Sequence, residues 1–150
     1  GYYASGRLGM LIDGTGKDFE KLSEKRQALV DLGYDTYMIF VDTSLERSQE
    51  QNAKRERKLD PEEVEKMWQQ VQDNKENYQE LFGVKNFTIV VNNEPVPPSK
   101  EATRAVQEFA QAPVENPLGQ SWMATQLAAK DTSGDAPAEE PAAEEPAEEE

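Results

Sequence analysis

Three short apolar runs, Leu8 to Ile12 (LGMLI), Thr36 to Val41 (TYMIFV) and Phe87 to Val91 (FTIVV), are separated by long stretches of helical periodicity. That order constrains the fold more than any single residue, because strands alternating with helices build a parallel sheet joined by crossover helices. Each run is apolar without the alternation of a half-exposed strand, which is the pattern of a strand buried on both faces. The first two stop abruptly, at Asp13-Gly14-Thr15-Gly16 and at Asp42-Thr43-Ser44, the latter an N-cap cluster that opens a helix. Three strands are few for so much apolar surface. The expectation is therefore an α/β domain with helices on both faces and further strands supplied from upstream.

The helical stretches carry their own punctuation. Phe19, Leu22, Ala28, Leu29 and Leu32 fall mostly on one helical face, and Gly33 follows as a stop. Leu45 begins a helix predicted to reach about Arg57. Asp60-Pro61-Glu62-Glu63 supplies an Asp N-cap, Pro at the first position and Glu63 at the capping-box position. Val64, Met67, Trp68, Val71, Asn74, Lys75 and Tyr78 then recur at helical spacing up to Leu81-Phe82-Gly83. Trp68, Val71 and Tyr78 read as packing residues, with base stacking as the alternative. Glu94-Pro95-Val96-Pro97-Pro98 interrupts the pattern, Ser99 opens a helix to about Ala110, and Trp122 to Ala129 forms a short final one. The expected divisions are residues 1–93 as the α/β unit, 94–130 as a helical extension and 131–150 as a disordered Ala/Pro/Glu tail.

Charge is unevenly spread. Residues 131–150 hold nine acidic residues and no basic one, so the net charge of −14 divides into −9 on the tail and −5 on the rest. An acidic surface argues against broad nucleic-acid binding, although a local basic pocket can still hold phosphate. The chain has no cysteine and no histidine. Thiolate chemistry, disulfides and histidine acid-base catalysis are excluded, which leaves Asp, Glu, Lys and Tyr and fits a reducing, cytoplasmic location. No apolar run approaches the roughly 18 residues of a membrane-spanning helix.

Asp13-Gly14-Thr15-Gly16-Lys17 contains a Gly-Lys pair but not the phosphate loop GxxxxGK[ST]. Leu11 stands where the first glycine is needed, and Asp18 stands where a Ser or Thr would meet magnesium. Asp13 reads instead as an acidic residue at the carboxyl edge of a sheet, where a carboxylate can orient magnesium or its waters, or as part of a plain Asp-Gly turn. Arg47, Lys54 and Arg55 are spaced for one helical face, with Arg57 and Lys58 beyond it. Such a face can hold polyphosphate through the arginine forks, or it can be a solvated helix paired with Glu46, Glu50 and Glu56.

Taken in order, the residues from Leu8 to Asn93 resemble the second half of the zeta-toxin-like and polynucleotide-kinase-like branch of P-loop kinases. The resemblance rests on Asp13-Gly14-Thr15 at a strand end, the Gly33-Tyr34 turn, Thr43-Ser44-Leu45-Glu46-Arg47 after the next strand, Arg55 and Arg57 as lid arginines, and the Pro-initiated helix Pro61 to Tyr78. It implies part of a three-layer P-loop domain that binds ATP or GTP with magnesium. In that reading Arg47, Arg55 and Arg57 contact nucleotide or the transferring phosphate, Asp13 lies near the metal, and Thr15 and Lys54 help hold the cofactor. One such arginine can matter by about 10³ to 10⁵ in rate.

The family's Walker A loop and catalytic acid precede the matched region, and only seven residues precede Leu8. The resemblance thus implies a carboxy-terminal portion, inactive alone, whose partners are a nucleotide, an unidentified phosphoryl acceptor and an upstream segment carrying Walker A. The alternative is a non-catalytic interaction module that keeps the scaffold and uses the acidic tail to bind a partner.

Overall fold

The computed structural model describes residues 6–133. The acidic stretch from Gly134 to Glu150, expected to be disordered, lies outside the described residues. In chain order the elements are α1 (Phe19–Asp31), β1 (Met38–Asp42), α2 (Leu45–Ala53), α3 (Pro61–Asp73), α4 (Lys75–Phe82), a 3-10 turn (Val84–Asn86), β2 (Phe87–Val91), α5 (Ser99–Gln111) and α6 (Pro117–Ser133).

β1 and β2 form a two-stranded parallel sheet in a continuous register from Met38 opposite Phe87 to Asp42 opposite Val91. Since α2, α3 and α4 lie between the strands, the connection is a crossover, which parallel pairing requires. Phe40 and Phe87, with ring centroids 5.9 Å apart, meet Tyr78 and Phe82 of α4 in the core, edged by Phe19, Leu22, Met38, Val71 and Leu81. Val90, three residues beyond Phe87, points to the opposite face and is also buried. There α5 packs on β2 and buries Ala105, while its Phe109 stacks on Tyr37 at 4.3 Å. Helices therefore pack against both faces, leaving Val41, Ile89 and Val91 exposed, and Tyr78 and Val71 do the packing that their spacing predicts.

The expected strand at Leu8 to Ile12 is not formed. A parallel ladder needs a neighbour to take its backbone groups, and β1 pairs only with β2 among the described residues. The run remains irregular, with Leu11 86% and Ile12 61% exposed, and Tyr34 donates its hydroxyl hydrogen to the Leu8 carbonyl at 3.1 Å. The sheet thus has two described strands rather than three.

Helix boundaries follow side-chain caps. Asp18 caps α1 by accepting from the Lys21 N–H, Ser44 caps α2 by accepting from that of Arg47, and Asp60 caps α3 by accepting from that of Glu62, with Pro61 in the first turn. α2 ends at Ala53, short of the expected Arg57, and the stretch from Pro61 to Phe82 is broken at Asn74 into two helices. The final helix is longer than expected, starting at Pro117 and absorbing Asp131 to Ser133 from the segment assigned to the tail. Among the described residues no helix is long and apolar enough to cross a membrane.

α6 is joined to the body by close backbone approach. Gly33, at φ +95°, leaves so little room that a Cβ there would stand 2.7 Å from the Gly119 nitrogen. Beside it, the Asn116 amide donates to the carbonyls of Val30 and Tyr34 at 2.9 and 3.1 Å.

Candidate functional site

Open α/β sheets bind ligands beyond the carboxyl ends of their strands, and here those ends are Asp42 and Val91. Asn92 extends the ladder by donating its N–H to the Asp42 carbonyl at 2.8 Å. The Asp42 carboxylate is held by Lys75 at 2.6 Å and by the Gln72 amide at 3.0 Å. Burial works to raise its pKa, but the hydrogen bonds from Lys75 and Gln72 and the lysine charge outweigh burial and hold it below the ordinary carboxylate value. Trp68 donates its indole N–H to the Thr43 carbonyl at 2.7 Å, and the Ser44 N–H donates to the Asn93 side chain at 2.7 Å.

From this edge α2 and α3 project as a helical hairpin. Its base is fixed by Ser44, Trp68 and Gln72, and the two helices pack on each other. Nine residues of α2 separate the hairpin tip from its base by about 13 Å along the helix. The tip is closed by Asn52, only 7% exposed, whose side-chain amide donates to the Leu59 carbonyl at 2.8 Å and whose side-chain oxygen accepts from the Leu59 N–H at 2.9 Å. Gln49 adds a bond to the Pro61 carbonyl at 2.8 Å. Between these clasps runs Lys54-Arg55-Glu56-Arg57-Lys58, exposed throughout. Among the described residues none of its four cations forms an ion pair, whereas Lys75, Lys85, Arg47 and Arg104 pair with Asp42, Glu115, Glu50 and Glu108.

The expected site residues separate into three groups. Arg47 stands in the first turn of α2, with its side chain 17% exposed. One terminal nitrogen bonds Glu50 at 3.0 Å, the other reaches the Glu94 carbonyl at 3.3 Å, and Nε is buried without a partner among the described residues. Lys54 and Arg55 lie in the hairpin tip, not on one helical face with Arg47, because the helix stops at Ala53, and Arg57 follows them in the tip, beyond the helix as expected. Asp13 and Thr15 lie in the exposed irregular segment before α1, not at a strand end. That segment is anchored through Gly16, whose carbonyl accepts from the Tyr78 hydroxyl at 2.8 Å. Burial, helped by the charge of Asp18, raises the Tyr78 pKa.

Asp42, Lys75 and Asn52 escape a reading by motif. Asp42 looks like part of a cap cluster and Lys75 like a position on a helix face. A polar Asn before a basic run and a Leu-Asp-Pro helix start is the one local sign of the Asn52 clasp. Among the described residues no group of three or more Asp, Glu, His or Cys is arranged to hold a metal ion. Comparison with family models, with curated proteins and with solved structures finds no match to this chain.

Proposed function

We propose that the chain is the carboxy-terminal portion of a zeta-toxin-like, ATP- or GTP-dependent kinase, part of a three-layer P-loop-type domain in which the α2–α3 hairpin is the lid. The observation that carries this reading is the clasped basic tip, without ion pairs among the described residues, at the far end of a hairpin rooted on the carboxyl edge of a parallel sheet. Arg55 and Arg57 there offer rigid donor forks that suit phosphoryl oxygens, and Arg47 at the hairpin base has a covered Nε still lacking an acceptor.

The donor set fits a nucleotide polyphosphate. It fits magnesium only as an ion brought by the phosphates, since Asp13 offers one exposed carboxylate and magnesium takes one or two together with substrate oxygens. When bound, the metal would neutralise phosphate charge; this chain's own contribution is to bind and orient through Arg47, Arg55, Arg57 and Lys54. Phosphoryl transfer also needs a GxxxxGK[ST] element, which these 150 residues do not contain.

The test uses the longer reading frame. It should encode a strand, GxxxxGK[ST] and a helix upstream, and its product should bind ATP in a magnesium-dependent way that weakens about tenfold in Arg55→Ala, by titration calorimetry. A frame without that element, or an unchanged affinity in the variant, refutes the kinase reading. It would favour the interaction module instead.

A further inference from the structure

The hairpin tip and the acidic tail are the two most segregated charges in the chain. Residues 54–58 carry four cations and one carboxylate, exposed and without ion pairs among the described residues, while residues 134–150 carry eight carboxylates and no cation. Other basic stretches are diluted: α1 mixes Lys21, Lys25 and Arg26 with Glu20, Glu24 and Asp31, and Lys85 is paired with Glu115. The tip is also the one held in shape, by the nine-tenths buried Asn52.

We infer that the basic tip Lys54 to Lys58 is a docking surface for the chain's own acidic segment, Gly134 to Glu150, which occupies it in competition with phosphate-bearing ligands. The contact is electrostatic and needs no defined conformation of the acidic segment, because lysine and arginine side chains on an exposed loop can each meet a different glutamate. Reach is sufficient. Seventeen residues beyond Ser133 span up to about 55 Å when extended, against a radius of gyration of about 14 Å for a body of this size. Tethering makes the encounter intramolecular, with an effective concentration on the order of millimolar, so pairs that are each weak can still compete with a soluble ligand. The docking itself is independent of the kinase reading; only its consequence for nucleotide binding rests on that reading.

The absence of cysteine allows a single spin label, placed at Ala143→Cys in the otherwise complete chain. At low salt, about 20 mM, the label should attenuate the amide signals of residues 54–58 in the nuclear magnetic resonance spectrum more than those of α1 or α5. The attenuation should disappear at about 0.5 M salt, in the double variant Arg55→Gln/Arg57→Gln, and on adding inorganic tripolyphosphate. Attenuation spread evenly over the body, centred on α1, or resistant to tripolyphosphate would overturn the inference. So would attenuation seen only when labelled protein is mixed with unlabelled isotope-enriched protein, since the contact would then lie between copies. No nucleotide enters the labelling measurement, so a failure of the kinase reading leaves its outcome intact.

Discussion

The Asn52 side chain grips Leu59 from both sides, accepting from its N–H at 2.9 Å and donating to its carbonyl at 2.8 Å across the basic turn. Its carboxamide mimics the paired bonds of a strand neighbour, so two hydrogen bonds from one side chain close the turn. Replacing it by Ala removes two bonds and leaves a gap at a buried site, at a cost of about 1–3 kcal/mol. Asn52→Ala should lower the urea midpoint and speed tryptic cleavage after Lys54, Arg55, Arg57 and Lys58. Unchanged cleavage kinetics would mean the clasp does not order the tip.

Asp42 and Lys75 make a pH-dependent contribution. The folded carboxyl titrates below its ordinary value, so its stabilisation is fully present above about pH 4 and is lost as the pH falls through the lower, folded value. Lys75→Met should cost about 1–3 kcal/mol at neutral pH, because it strips a charge-assisted bond from a largely covered carboxylate. The stability gap to the parent should narrow as pH drops below about 4. Equal gaps at pH 7 and pH 3 in urea titrations would show that the pair contributes nothing through ionisation.

Gly33 and Gly14 form a natural contrast. A methyl group at Gly33 meets the Gly119 backbone and must adopt a φ of +95°, whereas at Gly14 it meets nothing within 4 Å. Gly33→Ala should destabilise by at least about 2 kcal/mol, and Gly14→Ala should stay within about 0.5 kcal/mol of the parent. Denaturant midpoints of the two variants check the contrast, and a harmless Gly33→Ala would mean that α6 is not held by this approach.

Much of the chain's architecture is legible because local chemistry and tertiary packing agree. Ser44, Asp60-Pro61 and Gly33 mark boundaries that the structure keeps, and FTIVV becomes β2 without change. Leu8 to Ile12 fails because apolar content specifies burial but cannot supply the strand that would accept its backbone. The end of α2 fails because the Asn52 clasp acts over seven residues, a distance at which helical periodicity carries no signal. By spacing Asn74 is one more helix-face position, yet its side chain donates to the Lys17 carbonyl at 3.1 Å and marks the break between α3 and α4. The early start of α6 was readable: Asn116-Pro117 repeats the grammar of Asp60-Pro61, and the Leu118 N–H donates to Asn116 at 3.0 Å. At the candidate site, the basic residues were legible as a cluster, while their exposure and the two-sided clasp depend on Leu59 and Pro61 returning to α2.

The parallel pairing of Met38 with Phe87 also orders events in time. A nascent chain that has emerged only as far as Gly83 already holds every residue of α1 to α4 and has no second strand to complete the core. Phe40 must wait with one side uncovered until the last turn of the crossover is out, and loop-closure entropy is met in a single late step. If the Asn52 clasp closes before β2 pairs, α2 and α3 are already drawn together when the sheet forms. The same small side chain that shapes the basic tip would then reduce the distance over which the two halves of the sheet must search for each other.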